Sequence, residues 1–236
     1  MEGLQVYKCP YPKIRLGCPN LGGEVIADLS GDYDMFLSVG VIGEISFEEQ
    51  FLARYSSIKE ALALDYRIGS LDSTNSLNFN NVMVSELPMV VKLNLALHKD
   101  VFLKLDIQGY EYMILPAILE ELKNVKQLMI QFHSNAEIVE KPNVFAVFKG
   151  LKQEAMLILM KTLATTHTLV HVHPNNGSNV HYMNDFLIPN VFTGTWVRNT
   201  EIPDRQKTLA AIPTPLDQPA YPEKPVFIFS GDPWTA

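Results

Sequence analysis

The sequence predicts an α/β protein built on a mostly parallel sheet. Three observations lead there. Short apolar runs recur and end in a glycine or a polar residue: Asp34 to Gly40, Ala61 to Asp65, Val101 to Asp106 and Val125 to His133. Stretches with helical spacing of apolar residues separate them. An acid, Asp65, follows the Gly40 turn by 25 positions, close to the length of a strand–turn–helix–strand unit.

The bulk numbers bound the function. A chain of 236 residues, 47% hydrophobic, is long enough for one domain with a full core. The net charge of −7 and the lack of a basic stripe disfavour a polymeric nucleic-acid partner. Cys9 and Cys18 are too few for a disulfide framework and lack zinc spacing, so a reducing, cytoplasmic setting is expected. The N-terminus does not read as a signal peptide, and no apolar run reaches the roughly 18 residues of a membrane helix. A soluble protein is expected, with its oligomeric state open.

In chain order, residues 1–30 read as an N-terminal cover of two short extended pieces around the Gly22–Gly23 turn. Arg15 in this leader either faces a ligand or serves a surface hairpin. The core spans 31–199. Its first strand, 34–40, enters the Gly40–Gly43 turn, where a backbone without Cβ lets a ligand approach. A helix is predicted from Ser46 to about Leu62. The next strand ends at Asp65, placed to accept ribose hydroxyls or else a solvated turn acid. A polar loop covers 69–80, and Val82–Val84 forms a third strand with Ser85 at its tip, a candidate adenine contact. A helix or irregular crossover over 88–98 leads on.

The most informative stretch is Val101 to Leu115, VFLKLDIQGYEYMIL. It predicts a buried strand ending near Asp106, a turn through Gly109 and a helix starting near Glu111. Asp106 then stands at the carboxyl end of a strand, where open α/β sheets bind ligands, or caps the following helix. Glu111 orients a catalytic group or is a helix-start acid. The fifth strand, 125–133, points Gln131 and His133 to one side. A long helix is predicted over 144–164. His171 and His173 share a face of the next strand, with Asn175 and Asn176 beyond it, either as a polar crevice wall or as the start of a metal site. No further ligand is placed by local spacing, so a divalent metal is not favoured. A strand over 191–197 completes a terminal antiparallel hairpin. Residues 200–236 carry seven of the fifteen prolines and read as a tail that wraps the domain.

LKLDIQGYEYMILP resembles the signature of the FkbM-type methyltransferases, with Gln108 where that family usually has Glu. SVGVIGEISFE, the Arg15 and Gly22–Gly23 leader, and HVHPNN are similar to further motifs of one branch, in the same order. The resemblance implies a Rossmann-like class I methyltransferase fold with S-adenosylmethionine as cofactor. It places Gly40, Gly43, Asp65, Ser85 and Asp106 at the cofactor. His133, Asp106, Glu111 and His173 become candidates for catalysis, with His133 first as general base. Arg15, His171, Asn175 and Asn176 become candidates for the acceptor. The expected reaction is O-methylation of a sugar hydroxyl in a surface glycan or capsule precursor, possibly nucleotide-linked. Another small hydroxylated natural product, an RNA cap ribose and a non-catalytic cofactor-binding module are alternatives. An NAD-linked oxidoreductase is disfavoured because Gly-x-Gly-x-x-Gly is missing.

Overall fold

A computed structural model describes residues 3–19, 23–41, 43–66, 77–152, 154–183 and 185–236. Gly22 and Ile42, from the two expected glycine turns, and residues 69–76 of the polar loop lie outside the described residues.

The chain begins with an antiparallel hairpin, β1 (Lys13–Leu16) and β2 (Glu24–Ala27). There follow β3 (Met35–Val39), α1 (Ser46–Arg54), β4 (Glu60–Asp65), β5 (Asn78–Asn81), α2 (Leu87–Leu97), β6 (Val101–Leu105), α3 (Glu111–Ala117) and β7 (Val125–His133). Then come α4 (Asn135–Glu140), α5 (Glu154–Ala164), β8 (His167–Pro174), a hairpin of β9 (Val180–Met183) and β10 (Phe186–Pro189), and β11 (Val191–Arg198). The main sheet has seven strands in the order β5-β4-β3-β6-β7-β11-β8. Pairing is parallel from β5 through β7, and β11 runs antiparallel between β7 and β8. This is an α/β Rossmann-like fold. Strand order reverses between β3 and β6, which makes that junction the switch point where such sheets bind ligands.

Both faces of the sheet are covered, so β3 and β6 are buried at every position and read as apolar runs broken only by Ser38 and Lys104. On one face Phe36, Phe47, Phe51, Phe102 and Met129 form an aromatic-rich cluster, with Phe51 and Phe102 ring centroids 4.3 Å apart. On the other, Leu37, Leu103 and Ile130 join Val91 of α2, Ile114 of α3 and Met160 of α5.

Three predicted boundaries move. The first helix ends at Arg54 rather than Leu62, because 60–65 are taken up as β4, where Leu62 pairs with Leu37. The third strand is Asn78–Asn81, not Val82–Val84. Asn81 pairs with Asp65, the last residue of β4, and β5 ends there. The long helix expected over 144–164 is two pieces, a single 3-10 turn at Ala146–Phe148 and α5 from Glu154, with the short α4 lying ahead of it. Phe145 and Phe148 turn inward to Ile138 under Gly109, while Val144 and Val147 face solvent, so no single helical stripe holds them.

Lys104 interrupts the apolar run of β6 and is nonetheless buried. Its Nζ lies 2.7 Å from Oε1 of Glu48, a fully buried residue of α1, and Ser38 Oγ donates to the same oxygen at 2.7 Å. Burial alone would lower the Lys104 ammonium; the Glu48 carboxylate outweighs it and holds the ammonium above its usual range. This pair fastens α1 to β6 across β3. Lys104→Met should cost about 3–5 kcal/mol by stranding the Glu48 charge, and Lys104→Met with Glu48→Leu should recover most of the loss. Denaturant midpoints of the two variants check this.

Candidate functional site at the sheet switch point

Gly40, directly after β3, has φ +94°. A Cβ there would lie 1.8 Å from the Asp106 carbonyl oxygen, so only glycine lets the β3 and β6 tips meet. The ladder runs one residue past both strands: Gly40 N–H donates to Leu64 at 2.8 Å and Asp106 N–H to Val39 at 2.9 Å. Gly43 has φ +68° in open surroundings, so it is needed for its backbone angle alone. Asp65 ends β4, fully buried, and its carbonyl accepts from Val82 N–H at 2.9 Å. Gly40, Asp65 and Asp106 thus stand at the carboxyl ends of three adjacent strands. Ser85 is exposed in the turn before α2, four residues past the end of β5.

The β6–α3 connection is bent by Gln108 (φ +49°) and Gly109 (φ +96°). Glu111 holds it. One of its carboxyl oxygens accepts from Gly109 N–H at 2.8 Å and the other from His133 N–H at 2.9 Å. Tyr112 Oη donates to the His133 carbonyl at 2.7 Å, so the first two residues of α3 pin the end of β7 from both sides. Burial pushes the Glu111 carboxyl up to about 8 against these backbone donors. Its observed partners are backbone groups, which makes it a brace between the Gly109 turn and His133.

Gln131 Nε2 donates to Asp106 Oδ1 at 2.7 Å and lies 3.5 Å from His133 Nε2. The His133 ring packs against Phe145, with centroids 5.3 Å apart, and its Nδ1 is 4.0 Å from Glu137 Oε2. Burial, assisted by the Lys141 charge, lowers the imidazole to about 4, so it is neutral at physiological pH. Asp106, Gln131 and His133 therefore form one polar strip beside the Gly40 turn.

The remaining candidates gather elsewhere. Sheet register carries the row outward from Gln131 to Thr193 to His173. Thr193 Oγ1 donates to Glu24 at 3.1 Å, and His173 Nδ1 lies 3.8 Å from Glu24 and 4.0 Å from Asp217. Burial would lower His173, but these two carboxylates raise it above the usual histidine range. His171 Nε2 is 2.8 Å from Asp217 of the C-terminal tail. Asn176 donates to the Tyr221 and Lys224 carbonyls and accepts from Tyr221 N–H, while Asn175 Oδ1 accepts from Gly177 N–H at 2.8 Å. Arg15 donates to the carbonyls of Gly17 and Cys18 and closes its own hairpin. In this structure, HVHPNN docks the tail. Among the described residues no group of three or more His, Cys, Asp or Glu is placed to hold a metal ion. An open groove of about 480 Å³ lies apart from the switch point, at the sheet edge between Phe79 and Asn94.

Sequence reasoning missed Glu48, Glu24, Asp217 and Glu137. A lysine inside a doubly covered strand signals a buried carboxylate partner. Ser134-x-x-Glu137 has the pattern of a helix-capping box, and Ser134 is indeed the N-cap of α4.

No family model matches the sequence, and no curated protein matches it. Solved structures with a partly similar chain course include a protein from Streptococcus thermophilus named as a hemolysin, at 10% identity and TM-score 0.43 over 72% of this chain. This chain spans 61% of that protein's length. A ribosomal RNA methyltransferase from Plasmodium falciparum is 9% identical with TM-score 0.37, covering 71% of this chain and 87% of its own. A 16S rRNA (adenine(1408)-N(1))-methyltransferase variant from Catenulisporales acidiphilia is 11% identical with TM-score 0.38, covering 78% and 97%. Likeness at this level assigns no activity to the chain. No described helix is long and apolar enough to cross a membrane.

The buried histidines set a pH dependence. His167 donates Nε2–H to the Val125 carbonyl at 2.9 Å, and burial lowers it, like His133, to about 4. The unfolded chain takes up a proton near pH 6.5 that the folded chain refuses until about 4. Each histidine thus contributes stability that is present above 6.5 and lost as pH falls through that window. The raised Glu111 acts with the opposite sign, so a variant isolates one group. His167→Gln, which can keep the Val125 bond, should gain about 2 kcal/mol relative to wild type between pH 7.5 and pH 5. Urea unfolding at the two pH values measures it.

Proposed function

We propose that the protein is an S-adenosylmethionine-dependent methyltransferase that methylates an oxygen, with a sugar hydroxyl as acceptor. The observation that carries this reading is the switch point itself. Gly40 abuts Asp106 with no room for a Cβ, and Asp65 stands at the tip of the neighbouring strand. The open glycine turn at Gly43 and two acids on the strand tips either side of Gly40 suit a ligand with a ribose diol and a cationic amino-acid end. Gly40, Gly43, Asp65 and Asp106 would hold it. Bound there, S-adenosylmethionine supplies a methyl carbon on a sulfonium, a good leaving group.

The chain's own task is to orient the acceptor hydroxyl and to take its proton. Orientation of this kind is worth up to roughly 7–11 kcal/mol, and a positioned base roughly 10²- to 10⁴-fold. His133 is the base in this reading. It is neutral at physiological pH and shares the polar strip of Gln131 and Asp106. Amide and imidazole groups suit a polyhydroxylated acceptor, and a net charge of −7 disfavours a nucleic-acid polymer. Surface-glycan or capsule precursors, including nucleotide-linked sugars, are the acceptor class.

Isothermal titration with S-adenosylmethionine, S-adenosylhomocysteine and NAD tests the cofactor. The first two should bind and NAD should not. Asp65→Ala should weaken both by about 10- to 100-fold, the loss of one or two hydrogen bonds to a charged group. Folded protein that binds neither sulfur compound would overturn the proposal.

A further inference from the structure

Two buried polar atoms face each other across a gap at the end of β7. His133 Nδ1 and Glu137 Oε2 are 4.0 Å apart, and the described residues give neither atom a hydrogen-bond partner. The two side chains are only 8% and 4% exposed. A buried carboxylate oxygen without a donor is costly and calls for a reason. Capping does not supply it. Ser134 Oγ accepts weakly from Glu137 N–H at 3.4 Å, but the Glu137 carboxylate does not return to Ser134 N–H, which donates to the Asn190 carbonyl at 2.8 Å. Instead Glu137 Oε1 takes the Lys141 ammonium at 2.5 Å, and Oε2 is left toward the imidazole.

We propose that Glu137 is the positioning carboxylate of the His133 base. This rests on the methyltransferase reading of the site. Nδ1–H of neutral His133 points at Glu137, which leaves the Nε2 lone pair on the Gln131 and Asp106 side. Among the described residues that nitrogen has a 3.5 Å contact with Gln131, which donates to Asp106 at the shorter distance of 2.7 Å. As the acceptor oxygen bonds to the methyl carbon and the sulfur–methyl bond breaks, the hydroxyl proton passes to His133 Nε2. The imidazole becomes a cation and the sulfur leaves as a neutral thioether. A carboxylate 4.0 Å away interacts more strongly with that cation than with the neutral ring, so Glu137 lowers the barrier rather than the ground state. Lys141, ion-paired to Glu137 Oε1, has the opposite effect on the imidazole. The other groups around the ring are Gln131 of β7, Asp106 beyond β6, Phe145 against its face, and Glu111 on its backbone N–H.

The test follows the His133 ring proton by NMR in the cofactor-free protein and methyl transfer to the acceptor in parallel. Glu137→Gln should move the His133 titration down by about one pH unit, and Lys141→Met should move it up. Glu137→Gln should lower kcat by about 10- to 100-fold with KM changed less than about 3-fold. Unchanged His133 titration in both variants, or a Glu137→Gln kcat equal to wild type, overturns the role of Glu137. If the titrations shift as stated and no acceptor is methylated even by wild type, the coupling holds and the methyltransferase reading fails. Lys141→Met is exposed enough to fold if Glu137→Gln does not, because Lys141 is 51% exposed.

Discussion

Between β3 and β6 the two halves of the sheet meet backbone to backbone. Gly40 lies against the Asp106 carbonyl at a separation that excludes any side chain, and the hydrogen-bond ladder runs through the junction on both sides. Everything proposed for the site follows from that contact. It fixes the height of the glycine turn over the sheet. It places the Asp106 carboxylate beside the turn, within reach of Gln131 on the next strand. The Lys104–Glu48–Ser38 cluster reinforces it from beneath by tying α1, β6 and β3 together in the core.

A second layer of order comes from groups that hold backbone rather than ligand. Glu111 and Tyr112 clamp the end of β7 through the N–H and carbonyl of His133. The tail clamps the far edge, where Asp217 meets His171 and Asn176 meets Tyr221 and Lys224. Trp234 adds an apolar anchor beside Phe192 and donates to the Leu187 carbonyl at 3.0 Å. Polar residues that look alike in sequence thus divide into those that fix the scaffold and those that face the crevice.

The sheet was legible in the sequence because its central strands are covered on both faces and so appear as mostly apolar runs. The turn at Gly40, the strand tips at Asp65 and Asp106, and the helix start at Glu111 were legible for the same reason: punctuation follows each run. The edges were not. Asn78–Asn81 has almost no apolar signal, because β5 is an edge strand whose side chains are mostly exposed. The late start of α5 at Glu154 was hidden because Phe145 and Phe148 have helical spacing but serve a tertiary contact with Gly109. Within the site, pairs distant in sequence, such as Lys104 with Glu48 and His173 with Glu24, carry no local periodicity and emerge only once the fold brings the strands together.

We propose the Gly40–Asp65–Asp106 junction as a nucleoside site. A crystal structure with S-adenosylhomocysteine tests it most directly. The ligand is expected over the Gly40 turn, with its ribose hydroxyls on the Asp65 carboxylate and its sulfur on the Asp106 and His133 side. Ligand density at another place in the sheet, or a ribose held by groups other than Asp65, would contradict it.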